Sequence, residues 1–79
     1  MTKYAFKVTF HRGVPNAKDE TTSVMIVAEN FHRAIEAAEQ FERHVLNADK
    51  PRRPQYEPEW AYWDILNIRA SGLEVIASD

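Results

Sequence analysis

The sequence predicts a two-layer α+β domain, β-β-α-β-β, with one helix packed on a mostly antiparallel sheet of three to four strands. Three observations support this prediction. Apolar and polar residues alternate near the start, an apolar stripe at helical spacing occupies the middle, and aromatic and β-branched residues dominate the last third. A single helix buries only one face of a sheet, so the other face must meet water or a partner.

The first two strands follow from the residue pattern near the start of the chain. Aromatic or aliphatic residues occupy alternate positions from Tyr4 to Phe10, which predicts strand one with one face on the core. Gly13 and Pro15 then predict an exposed connection that is longer than a tight hairpin turn. The β-branched run over residues 21–28 predicts strand two, antiparallel to strand one.

The middle of the chain predicts one amphipathic helix over about residues 31–46. Asn30 is a favoured N-cap residue, and Asn47 is expected to end the helix. Six apolar residues at spacings of three and four positions form a stripe that should face the sheet. These residues are Phe31, Ala34, Ile35, Ala38, Phe41 and Val45.

The last third of the chain predicts a long loop followed by two strands. Residues 47–59 contain three prolines, which exclude both helix continuation and a central strand, so we predict an exposed Pro-rich loop there. Loops of this length are commonly functional or disordered. Residues 60–69 predict strand three, and residues 73–77 predict a weaker strand four after a turn at Ser71 and Gly72.

Composition bounds the function classes that are open to this chain. A chain of 79 residues forms one domain, residues 1–79, with little material to build a deep catalytic cavity. The sequence has no cysteine, so it cannot form a disulfide framework, and it has no apolar run long enough to span a membrane. We therefore expect a cytoplasmic protein that is not inserted in a membrane. The net charge is −2, but residues 1–18 carry four of the ten Lys and Arg residues and only basic charges, which predicts a face suited to an acidic partner.

The sequence offers no recognisable catalytic or metal-binding pattern. Two glycines are too few for a phosphate-binding loop. His32 and Glu36 stand four positions apart, but two ligands are a weak metal signal, so we predict that they pair with each other on a solvated helix face. Glu39 and Glu42 belong to the same solvated face. We therefore expect a non-enzymatic protein with no catalytic residue, no metal ligand and no cofactor.

The strongest positive signal is a cluster of aromatic residues close to arginines. Alternation along strand three would send Trp60 and Tyr62 to the face opposite Trp63, so some of these rings should be exposed. Trp, Tyr and Arg dominate the energetics of protein interfaces. The alternative is that the rings only cover the thin sheet and hold the long loop. The residues that this signal predicts as a contact surface are Arg52, Arg53, Tyr56, Trp60 and Trp63.

The middle of the chain also resembles a known protein family. Strand two ends in Ala-Glu at residues 28–29, and after four residues the helix carries Ala-Ile-Glu-Ala-Ala-Glu over 34–39. Residues 63–69 read aromatic, acid, aliphatic, any residue, Asn, aliphatic, Arg, where the family has arginine at the Asn position. In these features the chain is similar, over about residues 21–69, to the small inhibitors of host RNA polymerase that some podophages make.

The resemblance implies a function and one further contact residue. The family's members are not enzymes; they bind the jaw of the largest subunit of bacterial RNA polymerase and block promoter opening. Carried over to this chain, Arg69 would be a partner contact. We therefore expect a phage-type inhibitor that takes part in host takeover by binding a larger host protein, with bacterial RNA polymerase as the candidate.

Two alternatives stay open at this point. An anti-CRISPR-type inhibitor would act through the acidic helix face. A single-stranded nucleic-acid-binding module would stack bases on Tyr56 and Trp60 beside Arg52, although Glu57 and Glu59 would repel the phosphate backbone. The sequence leaves the oligomeric state open, because an unpaired edge strand also permits a dimer.

Overall fold

The computed structural model describes residues 2–13, 18–48 and 62–76. The three strands form one antiparallel sheet in the order β2-β1-β3, and the helix packs on one face of it. The predicted α+β class, one helix on an antiparallel sheet, is confirmed, with three strands. Most of the predicted Pro-rich loop lies outside the described residues. The elements are β1 (Thr2–Arg12), β2 (Glu20–Ala28), α1 (Phe31–Phe41), a π-helical turn (Glu42–Leu46) and β3 (Asp64–Ile76).

The core lies between the central strand β1 and α1. Alternation along β1 sends Phe6, Val8 and Phe10 toward the helix, as the sequence predicts, and all three are buried. Ala34 and Ala38 are the fully buried residues of α1, and each packs on β1 side chains. Because alanine is small, the helix axis can approach the sheet closely, and the aromatic rings of β1 fill the space between the layers.

The helix begins where the sequence predicts, because Asn30 caps it. The backbone N–H of Arg33 donates to Asn30 Oδ1 at 2.9 Å, which satisfies one of the free donors of the first turn. Phe31 lies at the rim of the core with half of its surface exposed. Its ring and that of Phe6 form an edge-to-face pair with their centroids 6.0 Å apart. Among the described residues, no helix combines the length and the apolar character that a membrane span requires.

The end of the helix corrects the predicted apolar stripe. The last turn is π-helical, and this turn adds one residue to the repeat, which rotates the following side chains by about 100°. Leu46 therefore follows Phe41 into the core. Val45, which the sequence predicts in the stripe, is 58% exposed. Asn47 ends the helical segment, as predicted.

The strands predicted at residues 60–69 and 73–77 are one strand in the structure, β3. The separation was predicted from the turn-forming pair that begins at Ser71. Pairing with β1 carries β3 through this point, because β1 is long enough to contact both halves. Ser71 Oγ donates to the backbone oxygen of Ala5 at 2.8 Å, so a side chain helps to join the strands where their register shifts.

A bulge in β3 takes up the residues that would otherwise form a turn. Tyr4 pairs with Glu74 and Phe6 pairs with Ala70, so β3 advances four residues while β1 advances two. Gly72 lies inside this bulge with φ +84°. Glycine adopts this left-handed conformation without the steric penalty that a Cβ atom brings.

We expect Gly72→Ala to lower the free energy of unfolding by about 1 kcal/mol. A Cβ atom at this position would have no atom within 4 Å, so the expected loss comes from the backbone conformation rather than from crowding. Urea denaturation followed by circular dichroism measures the change. An unchanged or increased stability would show that position 72 does not keep a positive φ in solution.

Candidate functional site

The sheet face opposite α1 is the main candidate site, and we call it the open face. Alternation that sends Phe6 and Val8 to the helix sends Lys7 and Thr9 to the other side. The hydroxyl groups of Thr9 and Ser23 lie 3.1 Å apart, which places both side chains on this side. In register across the strands, the open face comprises two rows and two flanking residues: the row Lys7, Met25 and Arg69, the row Thr9, Ser23 and Asn67, and the flanking Val27 and Leu66.

Two basic side chains stand next to each other on the open face. Lys7 of β1 pairs directly with Arg69 of β3, and both side chains are exposed. Within the described residues, no carboxylate forms an ion pair with either of them. Like charges on directly opposite residues of a sheet are unfavourable, so this pair concentrates positive potential that an acidic group from elsewhere would relieve.

Apolar side chains flank the two cations. Met25 lies across β1 from Arg69 and is 53% exposed, and Val27 beside it is 48% exposed. Leu66 is 51% exposed. It lies at a second register shift, because Thr9 pairs with Asn67 and Phe10 pairs with Ile65, so Leu66 is an extra residue of β3 between these two pairs. Exposed apolar groups beside unpaired charges are typical of surfaces that bind another molecule.

The structure separates the two predicted contact residues that it describes. Arg69 lies on the open face. Trp63 lies on the helix side, where it is half-buried against the core cluster that contains Phe10 and Ala38. The other predicted contacts lie outside the described residues: Arg52, Arg53, Tyr56 and Trp60.

Trp63 is held in place by three groups. The backbone N–H of Trp63 donates to Asn47 Oδ1 at 2.9 Å, and Asn47 Nδ2 donates to the Trp63 backbone oxygen at 3.1 Å. The Arg12 guanidinium lies 4.9 Å from the centre of a Trp63 ring, and Glu20 pairs with Arg12 at 2.7 Å. These contacts give Trp63 a structural role. This role agrees with the alternative prediction that the aromatic rings cover the thin sheet.

Tyr62 is buried in the structure. Its side chain is 3% exposed, while Trp63 beside it is partly buried as well. Alternation sends neighbouring side chains to opposite faces only within a strand, and β3 begins one residue later, at Asp64. The period-2 argument therefore does not apply to this pair.

Side chains on the acidic side of the helix contact its carboxylates. His32 Nε2 lies 3.0 Å from Glu36 Oε1, which confirms the predicted pairing, and Arg33 Nη1 donates to the same carboxylate at 3.1 Å. In the part of the chain that the structure describes, no group of three or more His, Asp or Glu residues could hold a metal ion. The helix surface around Glu36 is thus less acidic than its sequence suggests.

A second surface feature is an apolar groove at one end of the helix side. The groove has a volume of about 520 Å³, and Tyr4, Phe31 and Leu73 line it with exposed apolar surface. Glu29 and Glu74 also line it. The described residues of its lining include no histidine, serine or cysteine, so they offer apolar contact rather than a nucleophile and its base.

The open face was missed at the sequence level except for Arg69. Lys7 stands between apolar positions in a period-2 pattern, which places it on the solvent side of strand one. Its partners Met25 and Arg69 could be found only from the cross-strand register. Comparisons of the chain with protein-family models, with curated proteins and with solved structures gave no match.

Proposed function

We propose that this protein is a small non-enzymatic protein-binding module whose open face binds an acidic surface on a larger protein. The observation that carries the proposal is the exposed pair Lys7 and Arg69, which are direct cross-strand neighbours and have no carboxylate partner among the described residues. Placing two cations side by side costs the isolated fold some stability. A carboxylate from a partner would convert this repulsion into attraction.

The composition of the open face supports a protein rather than a small anion as the partner. Met25, which continues the row of Lys7 and Arg69 onto β2, and Leu66 of β3 each expose about half of their surface. Apolar contact supplies binding free energy in proportion to the buried area, while the cations favour encounter and orientation. A flat surface with both components suits a partner that is equally broad.

The described histidines support a binding role over catalysis. His32 pairs with Glu36 on an exposed helix surface, and His11 lies 4.0 Å from Asp19, which is itself exposed. A general base works best inside a site that positions the substrate and excludes water. His44 is exposed near the end of the helical segment, and none of the three described histidines has such surroundings.

Bacterial RNA polymerase is the first partner to test, and a phage-type inhibitor of this enzyme is the biological role that we propose. The support is the resemblance of residues 21–69 to the podophage inhibitors. Arg69 is the residue on which two arguments converge, because the resemblance implies it as a contact and the open face exposes it.

The test is a binding measurement of the full chain against purified bacterial RNA polymerase by biolayer interferometry. We expect the double variant Lys7→Glu/Arg69→Glu to lose affinity by about 100-fold or more, because it turns two attractive contacts into repulsive ones. The matched control is Lys18→Glu/Arg43→Glu, which changes the net charge equally at exposed positions outside the open face. We expect the control to bind within about threefold of the wild type, since rim charges away from a contact act weakly.

Other outcomes would decide against parts of the proposal. Equal loss of affinity in both double variants would mean that net charge, not the open face, governs binding. If polymerase does not bind, a pull-down from nuclease-treated bacterial lysate with the same two variants tests other protein partners. Retention of nuclease-sensitive material alone, with a steep loss of affinity as salt rises, would favour the nucleic-acid alternative.

A further inference from the structure

Strand β2 forms an edge of the sheet that lacks the usual protection against pairing. Within the described residues, β2 pairs with β1 alone, so the backbone groups on its other side have no strand partner. The ladder runs from the pair Tyr4 and Ala28 to the pair Arg12 and Glu20 without a register shift. Proteins usually guard such edges with charges, prolines or bulges, and residues 21–28 contain no charged residue and no proline.

The other edge of the sheet is guarded. Strand β3 carries two register shifts against β1, and one of them contains Gly72 with its positive φ. It also carries the charged residues Arg69 and Glu74, both exposed. In the part of the chain that the structure describes, the protective features are therefore concentrated on β3, and residues 21–28 of β2 lack them.

We infer that β2 pairs along its free edge with β2 of a second copy of this chain, antiparallel, to form a continuous six-stranded sheet. Because residues 21–28 are uncharged, this stretch can pair with its own copy without placing like charges opposite each other. Antiparallel pairing of identical strands also brings Met25 and Val27 of the two copies to the same face, where each is about half exposed in the single chain. The proposal rests on the strand edge and does not depend on the identity of a partner for the open face.

The dimer has a geometric consequence for the open face. Antiparallel pairing within one sheet places the two-fold axis perpendicular to the sheet. Both helices then lie on one side, and both open faces lie on the other. The dimer would present two copies of the Lys7 and Arg69 pair on one continuous surface.

Sedimentation velocity over a range of protein concentrations tests the dimer. We expect a reversible increase from the monomer mass of 9.2 kDa to twice that mass, with a dissociation constant on the order of 10 µM, as suits a small interface. Ser23→Glu should raise the dissociation constant at least about tenfold, because it places like charges on neighbouring strands near the two-fold axis.

The matched control for this variant is Asn67→Glu. Ser23 and Asn67 are both exposed, and they flank Thr9 in the same row of the open face, one on each edge strand. The two variants therefore share the charge change and the face but lie on different edges; Ser23→Glu also removes the hydroxyl contact with Thr9. Circular dichroism shows that each variant keeps the fold.

Cross-linking provides a second readout that does not depend on a charged variant. The chain has no cysteine, so Ser23→Cys, Met25→Cys or Asn67→Cys introduces a single thiol. We expect oxidation to link two copies through position 23 or 25 and not through position 67. A mass of 9.2 kDa at every concentration would overturn the inference, and so would a dimer that Ser23→Glu leaves intact or that links through position 67 instead.

Discussion

Phe10→Ala is expected to lower the free energy of unfolding by about 4 kcal/mol, the largest effect of any single substitution considered for this chain. Phe10 is fully buried in the central strand. Its ring lies 5.6 Å from that of Phe41 and packs in one cluster with Val8 and Ala38. Alanine would leave a cavity between the sheet and the helix, which the rigid central strand cannot collapse to fill.

The matched control is Phe31→Ala, which removes the same atoms from a half-exposed position. We expect it to lower the free energy of unfolding by about 1 kcal/mol. Folding buries less of the Phe31 ring than of the Phe10 ring, and its removal leaves no closed cavity. Urea denaturation measured by circular dichroism and tryptophan fluorescence compares the two variants. Equal losses for the two phenylalanines would contradict the placement of the core under α1.

Asn47→Ala is expected to lower the free energy of unfolding by about 2 kcal/mol, the second largest loss among the alanine substitutions. The Asn47 side chain donates one hydrogen bond and accepts another from the backbone of Trp63, so it joins the end of the helical segment to the start of β3. Both bonds lie in a partly buried region. Alanine would leave a backbone donor and acceptor without these partners where water reaches them only in part.

Two further variants make the Asn47 measurement specific. Asn67→Ala changes an exposed asparagine of β3 and is expected to alter stability by less than about 0.5 kcal/mol. Asn47→Asp keeps the acceptor for the Trp63 N–H but loses the donor and points a carboxylate at a carbonyl oxygen, so we expect a loss at least as large as that of alanine. If Asn47→Ala were as harmless as Asn67→Ala, the connection between the helix end and β3 would not contribute to stability.

The two proposed surfaces divide the sheet between different partners. The open face carries the cationic row for an acidic partner, whereas the free edge of β2 has no charged residue over 21–28 and suits its own copy. Sedimentation of Ser23→Glu tests the edge, and polymerase binding of Lys7→Glu/Arg69→Glu tests the open face. Because Ser23 also lies on the open face, Asn67→Glu is the control for the charge that Ser23→Glu adds there. A dimer would double the number of cationic rows, and this would increase the avidity for a partner with repeated acidic sites.

Several features of this protein could be predicted from short stretches of sequence. Alternation from Tyr4 to Phe10 placed Phe6, Val8 and Phe10 in the core, because side chains in a strand alternate by geometry alone. Asn30 marked the start of the helix because capping involves only the next three residues. The α+β class followed from the order of these local patterns.

Other features were decided by contacts between distant parts of the chain. The pairing of β3 with β1 carried the strand through Ser71 and Gly72, where local residues favour a turn. The π-helical turn replaced Val45 with Leu46 in the core. The same long-range register placed Arg69 beside Lys7, whereas core packing and the hydrogen bonds with Asn47 hold Trp63 on the helix side.

The sequence alone thus determined the fold class, the core face of β1 and the helix start, whereas the tertiary structure decided which surface residues become neighbours. The physical reason is that periodicity and capping depend on backbone geometry within a few residues. Strand register depends on the summed packing of a whole sheet, and a shift of one residue moves every side chain to the other face. A surface built from three strands, such as the open face, therefore exists only once that register is set.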